Sequence, residues 1–353
     1  MKRLIWLIIL VVVHATAFAE PPICSSNTAT NSFADLVKLK NYLDKVADSS
    51  DVFWKMHKEH LQGVLPVVKK KNKELLQKDR SLACINWYKA FYAKQETLFS
   101  VFFGSFYEPK NFMYIDSLNR ESLTSIATQP CEPFRFLCGF KSRPGDTPQS
   151  IILEKEIEAP WNPKVKKKVA IQINNSSSSM DPFKVNESTE YDQLNLMTAN
   201  FNKLNNDLSK AKALFFMGHS RQGLGISFSN YAHSFLINQF TDAILEAATN
   251  ESSKKSVEDS LQVCSHLGCS SQKHFGAKLR AAAPESLLIL SNRSTQIESA
   301  QKVIIASLDS LLGGVCPEDL SYIQEFTAGI PGPNGSGSLT TNRNEQTFVI
   351  ESK

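Results

Sequence analysis

The chain has 353 residues, 39 basic and 35 acidic side chains, and 42% hydrophobic residues. Removing Lys2 and Arg3 with the leader described below leaves 37 basic against 35 acidic (39 − 2 = 37), a balance of about +2 with no nucleic-acid signature. No second long apolar stretch follows the first, so the processed chain is expected to hold no integral membrane segment.

Residues 1–19 read as a secretory signal peptide. Lys2 and Arg3 supply the positive start, Leu4 to Val13 the apolar run, and Ala17-Phe18-Ala19 the small residues that a signal peptidase reads. Cleavage is expected before Glu20, with Ala17 marking the alternative point, and the product is expected to be periplasmic or secreted. An uncleaved anchor is the competing reading, but the apolar run falls short of the roughly 20 residues a spanning helix needs.

All seven cysteines lie beyond the cleavage point. In an oxidising compartment they are disulfide candidates, and an odd number leaves at least one thiol over. Cys24, Cys84, Cys131, Cys138, Cys264 and Cys316 are the candidates for bridging. The short Cys131…Cys138 loop is the foremost pairing, and Cys264 is either a core residue or the partner of Cys316.

Residues 20–128 are expected to form an α-helical region. Apolar residues recur at helical spacing, as in Leu36, Leu39, Leu43 and Val46, and again in Trp87, Phe91, Leu98 and Phe102. Asp51 is a plausible N-cap for a second helix, and the dense aromatic rings read as core bulk. Residues 129–163, rich in Pro, Cys and Gly, are expected to be a looped, crosslinked connection and the domain boundary.

From 164 to 318 the pattern changes in kind. Four compact apolar runs, at Val169–Ile173, Ala213–Met217, Leu261–Leu267 and Leu287–Leu290, are each followed by a helical segment. The expected helices lie around 191–208, 232–248, 272–282 and 296–312. This alternation predicts an α/β domain with a mostly parallel sheet flanked by helices. Residues 319–353 read as a mostly irregular tail with an edge strand at Thr347–Glu351. The basic runs Lys69–Lys71 and Lys166–Lys168 read as solvated faces or strand flanks.

In such a sheet, functional groups collect in the loops at the carboxyl ends of the strands. His219 follows the strand ending at Met217, and Cys269 follows the one ending at Leu267. If those strands are neighbours, their ends stand about 4.8 Å apart, and the two loops come within reach of proton transfer. A thiolate is a nucleophile, and a nearby imidazole lowers its pKa and later protonates the leaving group. Cys269 also precedes a helix, where backbone amides and the dipole favour an anion. Gly218, Gly268 and Ser270, with Ser220, are the candidate oxyanion or binding positions.

The order strand, His loop, helix, strand, Cys loop, helix resembles the caspase/gingipain-like cysteine peptidase superfamily, which includes clostripain, legumain and CHAT-type domains. The separation of 50 residues (269 − 219 = 50) is similar to that family's. Leu267-Gly268-Cys269-Ser270-Ser271 is like its Cys loop. Gly218-His219-Ser220-Arg221 matches its His loop in part, since Ser220 stands where glycine is usual. The likeness covers about residues 165–315. It implies a caspase-like fold and a peptidase with His219 and Cys269 as catalytic residues, a peptide or protein as substrate and no cofactor.

Other readings overlap this one. Gly218 to Gly223 resembles the nucleophile elbow of serine hydrolases, with Ser220 as nucleophile and the second glycine one residue late. Its acid and base would be Glu251 or Asp259 followed by His266 or His274. Cys264, His266, Cys269 and His274 are residue types that zinc favours, but their spacing matches no finger or ribbon, so no metal is expected. A catalytically silent exported envelope or binding protein of the same fold would carry much the same pattern.

Overall fold

The computed structural model describes residues 63–104, 115–147, 150–176, 187–218, 220, 226, 228, 234–252, 255–292, 295, 297–325 and 347–352. They belong to one compact unit, Trp54–Lys353. The signal peptide, the helix expected to start near Asp51, Cys24 and His219 lie outside the described residues.

Eight strands form one sheet: β1 (Glu96–Phe103), β2 (Lys141–Pro144), β3 (Ser150–Ala159), β4 (Asn162–Asn175), β5 (Ala213–Met217), β6 (Val263–His266), β7 (Leu287–Ser291) and β8 (Phe348–Glu351). Their order across the sheet is β2-β3-β4-β1-β5-β6-β7-β8. The central five, β4 to β7 in that order, run parallel. The β2–β3–β4 meander and the terminal β8 pair antiparallel. The chain is therefore an α/β protein with a mostly parallel mixed sheet, as the alternating pattern predicts.

Helix α1 spans residues 63–76. Then come α2 (Leu82–Phe91), α3 (Ile115–Thr128), α4 (Glu187–Lys210), α5 (Ser234–Ser252), α6 (Ser271–Ala282) and α7 (Ile297–Gly313), and a 3₁₀ stretch covers Pro317–Glu325. The four expected strand–helix pairs fall on β4–α4, β5–α5, β6–α6 and β7–α7. The edge strand expected at Thr347–Glu351 is β8.

Helices cover both faces, and alternate side chains along each strand feed two cores. On β1, Phe99, Val101 and Phe103 share one core with Phe91 of α2, Leu123 of α3 and Ile304 of α7, while Phe102 shares the other with Phe201 of α4 and Phe275 of α6. All five residues of β5 and of β7 are buried, which is why both read as unbroken apolar runs.

Two expectations are corrected. Leu98 and Phe102 lie on strand β1, inside the region expected to be wholly helical. The expected connection at 129–163 contains β2, β3 and the start of β4. The boundary drawn there does not divide the described fold, because β1 before it pairs with β4 and β5 after it. Glu96-Thr97-Leu98-Phe99-Ser100-Val101-Phe102-Phe103 is apolar on both faces, so it satisfies helical and strand spacing alike. The cost of ordering it as a strand is offset by rings buried at about 1.5–3 kcal/mol each.

Two disulfides form among the described residues, Cys84–Cys316 and Cys131–Cys138, the second being the foremost expected pairing. The Cys264–Cys316 alternative is corrected for a geometric reason. Cys264 faces the α5–α6 core, whereas Cys316 packs in the opposite core beside Cys84. Cys264 and Cys269 are free thiols.

The basic runs sit on the surface, where Lys69 pairs with Glu132 at 2.6 Å and Lys166 with Glu158 at 2.9 Å. Such exposed pairs contribute little to stability. Among the described residues, no helix is long and apolar enough to cross a membrane.

Candidate active site

β5 and β6 are adjacent and parallel, paired from Ala213↔Val263 to Phe216↔His266. The loops that carry positions 219 and 269 therefore leave the same edge of the sheet side by side. The ladder is extended by the Leu267 amide donating to the Phe216 carbonyl at 2.8 Å.

Close packing brings these loops together. A Cβ built on Gly268 would stand 2.8 Å from the Gly218 carbonyl oxygen, 2.8 Å from His266 Cε1 and 3.0 Å from Ser220 Cβ. Only glycine fits that contact without movement. Ser220 is buried, and its hydroxyl donates to the Cys269 carbonyl. Gly218 and Ser220, the chain neighbours of His219, thus both touch the Gly268-Cys269 loop.

The Cys269 loop is held from the other side by β7. Ser291 donates its hydroxyl to the Gly268 carbonyl. Ser271, the first residue of α6, donates its hydroxyl to the His266 carbonyl and lies 3.2 Å from the Ser291 hydroxyl. Cys269 is half-buried, and its Sγ accepts the Thr295 amide at 3.4 Å.

Ser270 adopts a left-handed conformation (φ 53°, ψ 33°) immediately before α6. Non-glycine residues held there cost on the order of 1–3 kcal/mol, and such strain clusters at functional turns. Among the described residues, the amides of Cys269 and Ser270 donate to no acceptor. They are the backbone donors nearest the sulfur at the start of α6 that remain free to meet a ligand. Gly268 drops out of that role in this state, because its amide donates to His266 Nδ1 at 3.2 Å.

No protein-family model and no curated protein matches this chain.

The remaining nearby groups are structural. His266 is buried between Phe275, ring centroids 4.8 Å away, and Phe216 at 4.9 Å. Burial pushes its imidazole down to about 3, so it is neutral at physiological pH. Burial likewise pushes the Cys264 thiol up to about 12, which makes it inert as a nucleophile. Among the described residues, no group of three His, Cys, Asp or Glu side chains could hold a metal ion. Of the acids and bases named for a Ser220 triad, His266 lies beside the Ser220 turn but is buried and neutral, and Asp259 is distant. Asp259 accepts from Ser256 beyond the opposite end of β6, and His266 is enclosed in the core.

Thr295 and Ser291 were not singled out by sequence reasoning. Ser291 ends the apolar run of β7 and Thr295 lies four residues beyond it, and only the adjacency of β6 and β7 gives them meaning. Asn174 and Asn175, each the start of an Asn-x-Ser glycosylation sequence, are buried at the end of β4.

Proposed function

We propose that the chain is an exported, caspase-like cysteine peptidase, with Cys269 as nucleophile and His219 as its base and acid. The observation that carries this reading is the contact of Gly218 and Ser220 with the Gly268-Cys269 loop. His219 lies between those two residues in the sequence. In the proposed reaction the imidazole takes the Cys269 proton and the sulfur attacks the scissile carbonyl carbon. The amides of Cys269 and Ser270 receive the oxyanion. The imidazolium then protonates the departing amine, and water releases the acyl group to restore the thiol.

The half-buried sulfur, the Thr295 amide directed at it and the left-handed Ser270 support this reading. Export is supported by two disulfides, which persist in oxidising compartments. A serine hydrolase is less well supported, because the Ser220 hydroxyl is buried and its proton is committed to the Cys269 carbonyl.

The test is cleavage of a mixed-sequence peptide library, read by mass spectrometry. Cys269→Ala is expected to abolish cleavage, and His219→Ala to lower it by about 10²–10⁴-fold. Ser220→Ala is expected to retain measurable cleavage. Loss in Ser220→Ala with activity kept in Cys269→Ala would establish the serine enzyme instead. No cleavage by the wild-type protein would leave the silent binding protein.

A further inference from the structure

We infer that Cys131–Cys138 is a thiol-exchange site, opened by an external thiolate at Cys131 and closed again by Cys138. This inference is independent of the peptidase reading. The two sulfurs differ in access, since Cys131 is exposed and Cys138 is fully buried. They share a cation: Lys155 Nζ, on β3, lies 3.5 Å from Cys131 Sγ and 3.8 Å from Cys138 Sγ.

The chemistry follows from that asymmetry. An incoming thiolate reaches only the exposed sulfur. A new S–S bond forms to Cys131, the Cys131–Cys138 bond breaks, and its electron pair leaves on Cys138 Sγ. Exchange is faster when the leaving thiolate is stabilised, and the Lys155 ammonium is already in place to pair with it. After protonation, the Cys138 thiol can donate to the Arg135 carbonyl oxygen, which lies 3.1 Å from its sulfur. Reversal needs no further reagent, because Cys138 thiolate attacks Cys131 and expels the external thiol.

The loop is also held by contacts that do not pass through the disulfide. Asp309 accepts the amides of Phe136 at 2.8 Å and Leu137 at 2.6 Å. Lys69 pairs with Glu132, and Arg135 donates to the Ile126 carbonyl and to Gln129 Oε1, each at 2.8 Å. The Gly139 amide donates to the Gln129 carbonyl at 2.8 Å. An opened pair therefore stays in register for closure. Cys84–Cys316 has neither feature: both sulfurs belong to buried residues, and among the described residues no lysine stands within hydrogen-bond distance of them.

The experiment treats the folded, oxidised full chain with reduced glutathione, quenches with acid, alkylates free thiols and maps them by mass spectrometry. Cys138 is expected to become alkylated first, with glutathione on Cys131 and Cys84–Cys316 intact. Lys155→Met is expected to slow opening by about ten-fold, and Lys155→Arg to restore part of the rate. Equal opening rates for the two disulfides, glutathione on Cys138, or an unchanged rate in Lys155→Met would overturn the proposal. If Lys155→Met does not fold, the position of glutathione on the wild-type protein decides the matter.

Discussion

Gly268 has no room for a side chain, and that single restriction holds the candidate site together. In Gly268→Ala the new methyl meets a backbone carbonyl and a ring buried on every side, neither of which can retreat cheaply. We expect a loss of about 1–3 kcal/mol in stability, measured by denaturant titration. Any hydrolytic activity is expected to fall further than stability alone explains. His266 beside it sets an acid sensitivity. Its imidazole is pushed down in the folded protein, so the unfolded chain binds the extra proton, and stability falls as pH drops from about 6.5 towards 3. The contribution is absent above pH 6.5 and reaches about 2 kcal/mol by pH 5. His266→Gln should lose that slope relative to wild type when melting is compared at pH 7 and pH 5. Equal slopes would contradict the assignment. Cys269 was legible in the sequence because a small-Cys-small turn after an apolar run has few structural uses. The Thr295 donor was not, since it approaches the sulfur from the connection between β7 and α7.

At the level of elements, Asp309 ties α7 to the disulfide loop and to α1. Its carboxylate accepts Asn72 Nδ2 at 2.6 Å as well as the two loop amides. Burial pushes its carboxyl up to about 6, against the pull of those donors, so it is ionised at neutral pH. Asp309→Ala leaves three buried donors unpaired and should cost at least about 2–4 kcal/mol in chemical unfolding. A change below 1 kcal/mol would show that the cluster relaxes around water. The strands β5 to β7 and helices α4 to α7 were readable from alternating runs alone. β1 was not, because Leu98, Phe99, Val101, Phe102 and Phe103 present apolar groups at every period. β2 and β3 were hidden by polarity: β2 is exposed throughout, and β3 alternates Glu and Lys with its apolar residues over its second half.

For the molecule as a whole, one sheet passes through both halves of the chain. Cys84–Cys316 crosslinks residues 232 apart, joining the start of α2 to the 3₁₀ stretch after α7. Closing so long a loop restricts the unfolded chain strongly, although how much of the gain is entropic depends on the treatment. Cys84→Ala should lower stability by about 2–5 kcal/mol, and Cys131→Ala by less, because its loop closes over only 7 residues. The same sheet puts the ends of β5 and β6 side by side, and the central claim rests on that adjacency. Its most direct measurement is the alkylation rate of each thiol in the native protein with iodoacetamide across pH 5 to 9. The account predicts that Cys269 reacts ahead of Cys264 and already at neutral pH, and that His219→Ala slows it by at least about ten-fold. A disulfide-bonded Cys269, or a rate untouched by His219→Ala, would contradict it.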